Sequence, residues 1–474
     1  MAPGVSATRA SDKAALPDTG RLLQNLVHEY QRQGRPVPVN FRRALPTLNS
    51  ADRFTHLIHP YPAKLLVHIP YLFLTNDLLS RPGDVILDPF CGSGTVLLEA
   101  QLAGRRAFGA DANPLARLIA RVKTTALDSA MLARALKKLL NRIPIEPSGP
   151  RPDVINLDHW FYPSAARQLQ CLREAILRVR LPETRDFFLA CFSVCVRKVS
   201  LADPRLSVPV RLKFGQYPKD HPFRQKSDSH LRWLRRVRVS EVFRRVTLAN
   251  IARMTKLQAG TTSRSKSEIL CSDARRLVYE FSLNGNRGRR LPQKSVQLII
   301  TSPPYPGAQK YIRSCSLSLG WLQLSATADL RQYKECMIGR EEFTKADWSA
   351  EVLTDIDAAD SALTAIRKRN PIRAAVAATW VNEMRTAMRE MCRVLKPGGH
   401  LVLVAANNRI SGRQFRVVDY LRTIAEKLGL SLTACFIDGI RSRGLMTKRN
   451  HTASIIKSEW VLIFRKGEAR NWRS

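Results

Sequence analysis

The sequence predicts an α/β protein, a doubly wound, mostly parallel sheet with a large, mainly helical insertion. Three observations predict it. Val85-Ile86-Leu87 and Arg106 to Ala110 are short apolar runs flanking a helical stretch, Val96 to Ala103, which ends at Gly104. A strand–helix–strand unit of that length makes its strands parallel and its crossover right-handed. Val296 to Ile300 is a further β-branched, largely apolar run, the pattern of a strand buried on both faces. Between these regions, from about 125 to 268, the alternation of strand and helix stops.

The elements follow in order. Residues 1 to about 20 are rich in Ala, Ser, Pro and Gly, and a basic segment with Arg32, Arg35, Arg42 and Arg43 follows. Residues 1–50 therefore read as a basic, partly disordered arm. An apolar helix is expected over 64–79. Within the insertion, Ala130 to Ile143, Ala165 to Val179 and Arg185 to Val199 read as helices, and His230 to Leu257 as one basic amphipathic helix. The frame resumes with a strand over Glu268 to Ala274 that ends in an acid. Residues 325–370 read as a polar helical excursion. Val381 to Leu395 is a helix stopped by Lys396-Pro397-Gly398-Gly399, His400 to Ala405 a strand, and Val417 to Leu428 a helix. Leu432 to Ile437 and Trp460 to Phe464 close the sheet, with a basic loop holding Arg441, Arg443, Lys448 and Arg449 between them.

Composition narrows the function. The chain has 474 residues, 45% of them hydrophobic, enough for one elaborated domain or two to three domains. Its formal net charge is +38, an excess that implies a polyanionic partner, nucleic acid first and an anionic membrane surface second. The nine cysteines are scattered, with no CxxC and with Cys191 and Cys195 as the one close pair. That usage fits reduced, buried thiols rather than a disulfide framework or a metal site. The first twenty residues hold no hydrophobic leader, and the run Leu65 to Leu74 is short and interrupted by His68 and Pro70. A cytoplasmic protein with no membrane span is expected.

Two loops carry the chemistry. Thr301-Ser302-Pro303-Pro304-Tyr305 ends the Val296 strand abruptly, because two prolines cannot continue a sheet ladder and both fix φ. The result is a stiff loop at the carboxyl end of a strand, where open α/β sheets bind ligands. An exocyclic amino group on a nucleobase is planar, with its lone pair delocalised into the ring. Two acceptors, Ser302 Oγ and the Pro303 carbonyl, could hold its N–H groups and pull the nitrogen towards a nucleophilic shape, while Tyr305 stacks on the base. The second loop is Asp88-Pro89-Phe90-Cys91-Gly92-Ser93-Gly94-Thr95. Its glycines permit positive φ and close approach of a ligand to the backbone. A second acid, Asp111, closes the next strand and could take both hydroxyls of a ribose. The spacing is not GxGxxG and no GxxxxGK[ST] occurs, which disfavours a dinucleotide or a triphosphate. A ribose without phosphate, beside an acid able to meet an ammonium group, suits S-adenosyl-L-methionine.

DPFCGSGT, GADANP, CSDA and TSPPY, with HPYPAK upstream, resemble the S-adenosylmethionine-dependent amino-methyltransferases of DNA. The resemblance covers roughly 55–124 and 269–466 and implies a Rossmann-like class I methyltransferase sheet. The chain then divides into the arm, a catalytic domain of 51–124 and 269–466, and the insertion 125–268 as a candidate DNA- or target-recognition region. By resemblance, Asp88, Phe90, Gly92 and Gly94 line the methionine part of the cofactor, with Pro89, Cys91, Ser93 and Thr95 completing the loop. Asp111 with Ala112 would hold the ribose and Asp273 with Ala274 the adenine. Lys64, with Thr55 and His59, would assist from the amino-terminal side. Ser302, Pro303, Pro304 and Tyr305 would hold a flipped base. A serine at the first position of this tetrapeptide is typical of cytosine-N4 enzymes, and Asp or Asn of adenine-N6 enzymes. The implied partner is double-stranded DNA, with RNA second, and a cognate restriction endonuclease is compatible with the resemblance. A tRNA or rRNA guanine-N2 methyltransferase and a non-catalytic nucleic-acid-binding protein on the same frame stay open at this point.

Overall fold

The computed structural model describes residues 18–49, 52–62, 64–261, 266–271, 273–279, 288–307, 311–324, 337–340, 343–349, 352–440 and 457–468. The basic loop at 441–449 and most of the 284–290 loop lie outside the described residues.

The sheet is built from β1 (Val37–Pro38), β2 (Val85–Asp88), β3 (Arg106–Gly109), β4 (Ser267–Ile269), β5 (Val296–Thr301), β6 (Leu395–Ala405), β9 (Leu430–Gly439) and β10 (Ser458–Lys466). A separate small hairpin pairs β7 (Asn408–Ile410) with β8 (Arg413–Phe415). The spatial order is β1-β9-β10-β6-β5-β2-β3-β4. β10 runs antiparallel to both neighbours, and every other pairing in this sheet is parallel. From β2 the chain moves outward to β3 and β4, then returns to the other side of β2 to lay down β5 and β6. The winding therefore reverses between β2 and β5, which leaves a crevice at their carboxyl ends.

Side chains alternate across this sheet as the strand period demands. Leu87, Ile299, Leu401 and Leu403 join one core with the helices Pro371–Val394 and Val417–Lys427. Ile86, Leu298, Ile300, Val402 and Val404 join the opposite core with the helices Thr19–Gln33, His68–Leu74 and Thr95–Leu102. A third core gathers the insertion helices Ser129–Leu140, Pro163–Leu177, Pro182–Val199 and Val239–Gly260. It also takes in Leu115, Ile119 and Val122 after β3, and Ile312, Leu319 and Trp321 from the helix Tyr311–Leu322 after β5. The insertion thus shares one apolar interior with the helices that follow β3 and β5.

Several expected elements differ in extent. Residues 18–49 contain a capped helix and the edge strand β1, because Leu23 and Leu26 recur on one helix face and are buried. The helix expected over 64–79 is confined to His68–Leu74, where Thr75 Oγ1 and Asn76 Nδ2 donate to the last carbonyls, Tyr71 O and Leu72 O. The basic helix expected over His230 to Leu257 is two helices, Arg224–Leu234 and Val239–Gly260. Gln168 makes the break: its Nε2 donates to Val237 O and its Oε1 accepts from Val239 N. The strand expected through Ala274 stops at Ile269, because Asp273 Oδ1 accepts from Arg275 N and turns the chain.

Candidate active site at the switch point

β2 ends on Asp88 and β5 on Thr301, and the two strands pair directly, with Leu87 opposite Ile299. The two predicted ligand loops therefore leave the sheet side by side. A hydrogen bond stitches their roots: Thr301 Oγ1 donates to Asp88 Oδ1 at 2.6 Å. Phe90 N donates to the same oxygen at 3.1 Å. Among the described residues Asp88 Oδ2 has no partner. Burial pushes the Asp88 carboxyl up to about 7, and the nearby Asp111 charge adds to the rise against the two hydrogen bonds. An acid so placed is stabilised by any cation that reaches its open oxygen.

The loop after Asp88 folds back on the next strand tip. Asp111 Oδ2 accepts from Gly92 N at 2.9 Å and Oδ1 from Asn113 N at 2.8 Å. Burial raises the Asp111 carboxyl in spite of those donors. Gly92 and Gly94 both sit at positive φ, 49° and 76°. At Gly94 a Cβ would also lie 3.0 Å from Ala120 Cβ and 3.1 Å from its Cα. Gly94→Ala is expected to destabilise the fold by ~1–3 kcal/mol through backbone strain and overpacking, read as a lower melting temperature. Cys91 is buried, and burial drives its thiol well up, as for a packing residue. Thr95 begins the helix behind the turn, and Phe90 is half-buried against the sheet core. Pro89 and Ala112 complete the two turns.

Ser93 meets a group that sequence reasoning missed. Lys123 is fully buried, and its Nζ donates to Ser93 Oγ at 3.2 Å. Burial holds that ammonium far below the ordinary lysine range. No local signal in the helix Pro114–Thr124, which also carries Arg117 and Arg121, sets it apart. Asn113 was also missed: Oδ1 caps the same helix at Leu115 N, and Nδ2 donates to Tyr61 OH at 3.0 Å.

The upstream segment is used mainly as mortar. Thr55 Oγ1 donates to Lys123 O at 2.6 Å. His59 Nε2 meets Ser193 Oγ on the insertion at 3.0 Å. Lys64 Nζ donates to His56 O at 3.1 Å and to His59 O at 2.5 Å, and burial lowers its ammonium to about 8. The structure thus ties Thr55, His59 and Lys64 to loop carbonyls and the insertion. Asp273 lies beyond β4, paired with Arg275 Nε at 2.9 Å. It is still near the site, because Asp111 N donates to Cys271 O. Ala274 is buried beside it.

The second loop is rigid at its end. Trp380 Nε1 donates to Pro304 O at 2.7 Å from a buried indole. Tyr305 OH donates to Glu459 Oε1 at 3.4 Å. Pro303 is buried, while Ser302, Pro304 and Tyr305 are half-buried. Among the described residues, neither Ser302 Oγ nor the Pro303 carbonyl has a hydrogen-bond partner. Thr301, Trp380 and Glu459 were not legible as site residues, since two of them lie far along the chain from the loop they hold.

Fold and site together define an α/β protein whose two candidate ligand loops leave neighbouring strands at the switch point of its sheet. Residues 52–121 match the family model described as DNA methylase, for N6 and N4 enzymes. The chain is similar to the Type II methyltransferase M.MvaI of Kocuria varians, 25% identical over 383 residues, 76% of this chain and 78% of that one. It is 36% identical over 101 residues to the Type II methyltransferase M.MjaII of Methanocaldococcus jannaschii, 21% of this chain and 19% of that one. Among solved structures, a Thermus thermophilus protein complexed with S-adenosyl-L-methionine is 18% identical, with a TM-score of 0.19, over 39% of this chain and 52% of that one. This chain thus spans about half of that structure. The rRNA methyltransferase aviRa of Streptomyces viridochromogenes is 11% identical, with a TM-score of 0.30, over 90% of this chain and 96% of that one. The family match over 52–121 and the two Type II methyltransferase relatives agree with the resemblance that the motifs carry. Among the described residues no helix is long and apolar enough to cross a membrane.

Proposed function

We propose that this chain transfers the methyl group of S-adenosylmethionine to an exocyclic amino group of a base in DNA, with cytosine N4 favoured over adenine N6. The observation that carries this reading is the Thr301–Asp88 bond, which makes the two loops walls of one crevice.

The residues present fit the cofactor. Asp88 offers an open carboxylate oxygen in a buried setting, the partner an ammonium group needs. Asp111 would accept the ribose hydroxyls while its backbone donors keep it oriented. Asp273 and Ala274 would flank the adenine. The cofactor, when bound, supplies an electrophilic methyl on a sulfonium.

On the base side, Thr301 has its hydroxyl committed to Asp88, which leaves Ser302 Oγ and the Pro303 carbonyl as the uncommitted acceptors of the loop among the described residues. They would hold the N–H groups of a turned-out base and draw the proton density from its nitrogen as the bond to carbon forms. Tyr305 would stack on the base with its hydroxyl fixed by Glu459. Positioning and exclusion of water are the protein's main contributions. The preference for cytosine rests on Ser302, the residue type that the resemblance associates with cytosine-N4 enzymes at this position.

The test is to express the full chain in a host without base methylation, then analyse nucleosides of genomic DNA and of tRNA by mass spectrometry. N4-methylcytosine in DNA is expected. N6-methyladenine instead would overturn the base choice, and methylated guanine confined to RNA would overturn the DNA substrate.

A further inference from the structure

The basic insertion bears a surface that the catalytic reading does not use. Residues 204–238, a loop followed by the helix Arg224–Leu234 and the turn behind it, expose three large rings: Phe214 at 44%, Phe223 at 40% and Trp233 at 40%. Exposed rings gathered in one stretch mark a binding surface more often than a solvated face. These are interleaved with flat cations. The Arg205 guanidinium lies 4.2 Å from the Phe223 centroid and 5.1 Å from that of Tyr217, and Arg235 lies 4.9 Å from Phe214. His230 stacks on Trp233 with an interplanar angle of 25°.

The acids that could neutralise this surface are mostly spent. Asp203 pairs with Arg205, and Asp228 with Arg224, leaving Asp220 as an exposed acid. Among the described residues, the exposed Lys226, Arg236 and Arg238 make no ion pair with a carboxylate. A protein partner could cover the rings, but burying these cations would strand their charge. A polyanion whose backbone also carries apolar sugar faces satisfies both.

We propose that residues 205–238 form a nucleic-acid contact surface distinct from the base pocket. Lys226, Arg236 and Arg238 hold DNA phosphates, and Phe214 and Trp233 pack against the sugars of the backbone. The proposal rests on the reading of the chain as a DNA methyltransferase. It assigns this stretch to anchoring the duplex, a task separate from methyl transfer.

The test measures the affinity of the full chain, with cofactor, for a labelled duplex across a range of salt. The triple variant K226Q/R236Q/R238Q is expected to bind at least ~10-fold more weakly near 0.1 M salt, with a log–log salt slope shallower by about 3. The single variant R236Q is expected to lower the slope by about 1. F214A/W233A is expected to weaken binding ~10-fold through lost apolar burial, with the slope unchanged. Cofactor binding by calorimetry and the melting temperature are expected to stay at wild-type values in all of them. Wild-type affinity and slope in the triple and single variants would overturn the surface assignment alone. A wild-type protein that binds cofactor but no DNA would instead overturn the DNA reading on which it rests.

Discussion

Alanine at Ser302 is expected to leave cofactor binding within about twofold and to slow methyl transfer by ~10²–10³, the range seen when one preorganised polar group is removed from a charge-developing centre. Three features of the loop support this. The Thr301 hydroxyl is already given to Asp88, so it cannot substitute. Pro303 and Pro304 fix the backbone, and Trp380 grips the Pro304 carbonyl, so the loop cannot sag to offer another acceptor. Ser302 Oγ is also uncommitted among the described residues, so its loss leaves no buried donor or acceptor stranded. Folding should therefore be spared. The check is single-turnover transfer to a duplex, paired with calorimetric cofactor binding. A variant that transfers methyl groups at the wild-type rate would remove Ser302 from the chemistry.

Asp88→Asn is expected to do the reverse, weakening the cofactor by ~30–1000-fold while stabilising the cofactor-free protein. Truncating or neutralising one partner of a buried charge pair costs about 2–4 kcal/mol of binding. The stability effect follows from linkage. The folded carboxyl sits near 7, above its ordinary value of 3.8, so the folded state holds its proton more tightly than the unfolded chain. The resulting cost is absent below about pH 4, grows as pH rises, and is complete above about pH 7. Asparagine avoids it and keeps an oxygen for Thr301 and Phe90. Its gain in melting temperature should be larger at pH 8 than at pH 5. In the wild type, an arriving ammonium would displace that proton. Cofactor affinity should then rise from pH 6 to pH 7.5, and the heat of binding at pH 7 should vary with the ionisation enthalpy of the buffer. Wild-type affinity in Asp88→Asn, or heats independent of buffer, would remove Asp88 from the methionine end of the pocket.

Much of the frame was legible because local and global signals agree in it. Val85 to Asp88 is short and apolar, its exit is enforced by Pro89 and Gly92, and the helix behind it starts at Thr95. The TSPPY loop was legible for the same reason, since proline ends a strand wherever it falls. What escaped was set by distant partners. Nothing near His230 to Leu257 announces a break, because the group that makes it, Gln168, lies on another helix. Lys64 and His59 were named through the resemblance, yet Lys64 bonds to the carbonyls of His56 and His59, and His59 to Ser193, a residue too distant in the chain to be read locally. Edge strand β1 was hidden by its length of two residues.

The third core has a consequence for how freely the insertion can vary. Trp321, downstream of the TSPPY loop, meets Phe161 and Phe192 of the insertion edge to face, at centroid distances of 5.5 and 6.1 Å. A graft that exchanged residues 125–268 for those of another protein would strip the packing from the helix Tyr311–Leu322, which follows the TSPPY loop in the chain. Substitutions on the outer skin of the insertion should therefore be tolerated far better than substitutions in its interior.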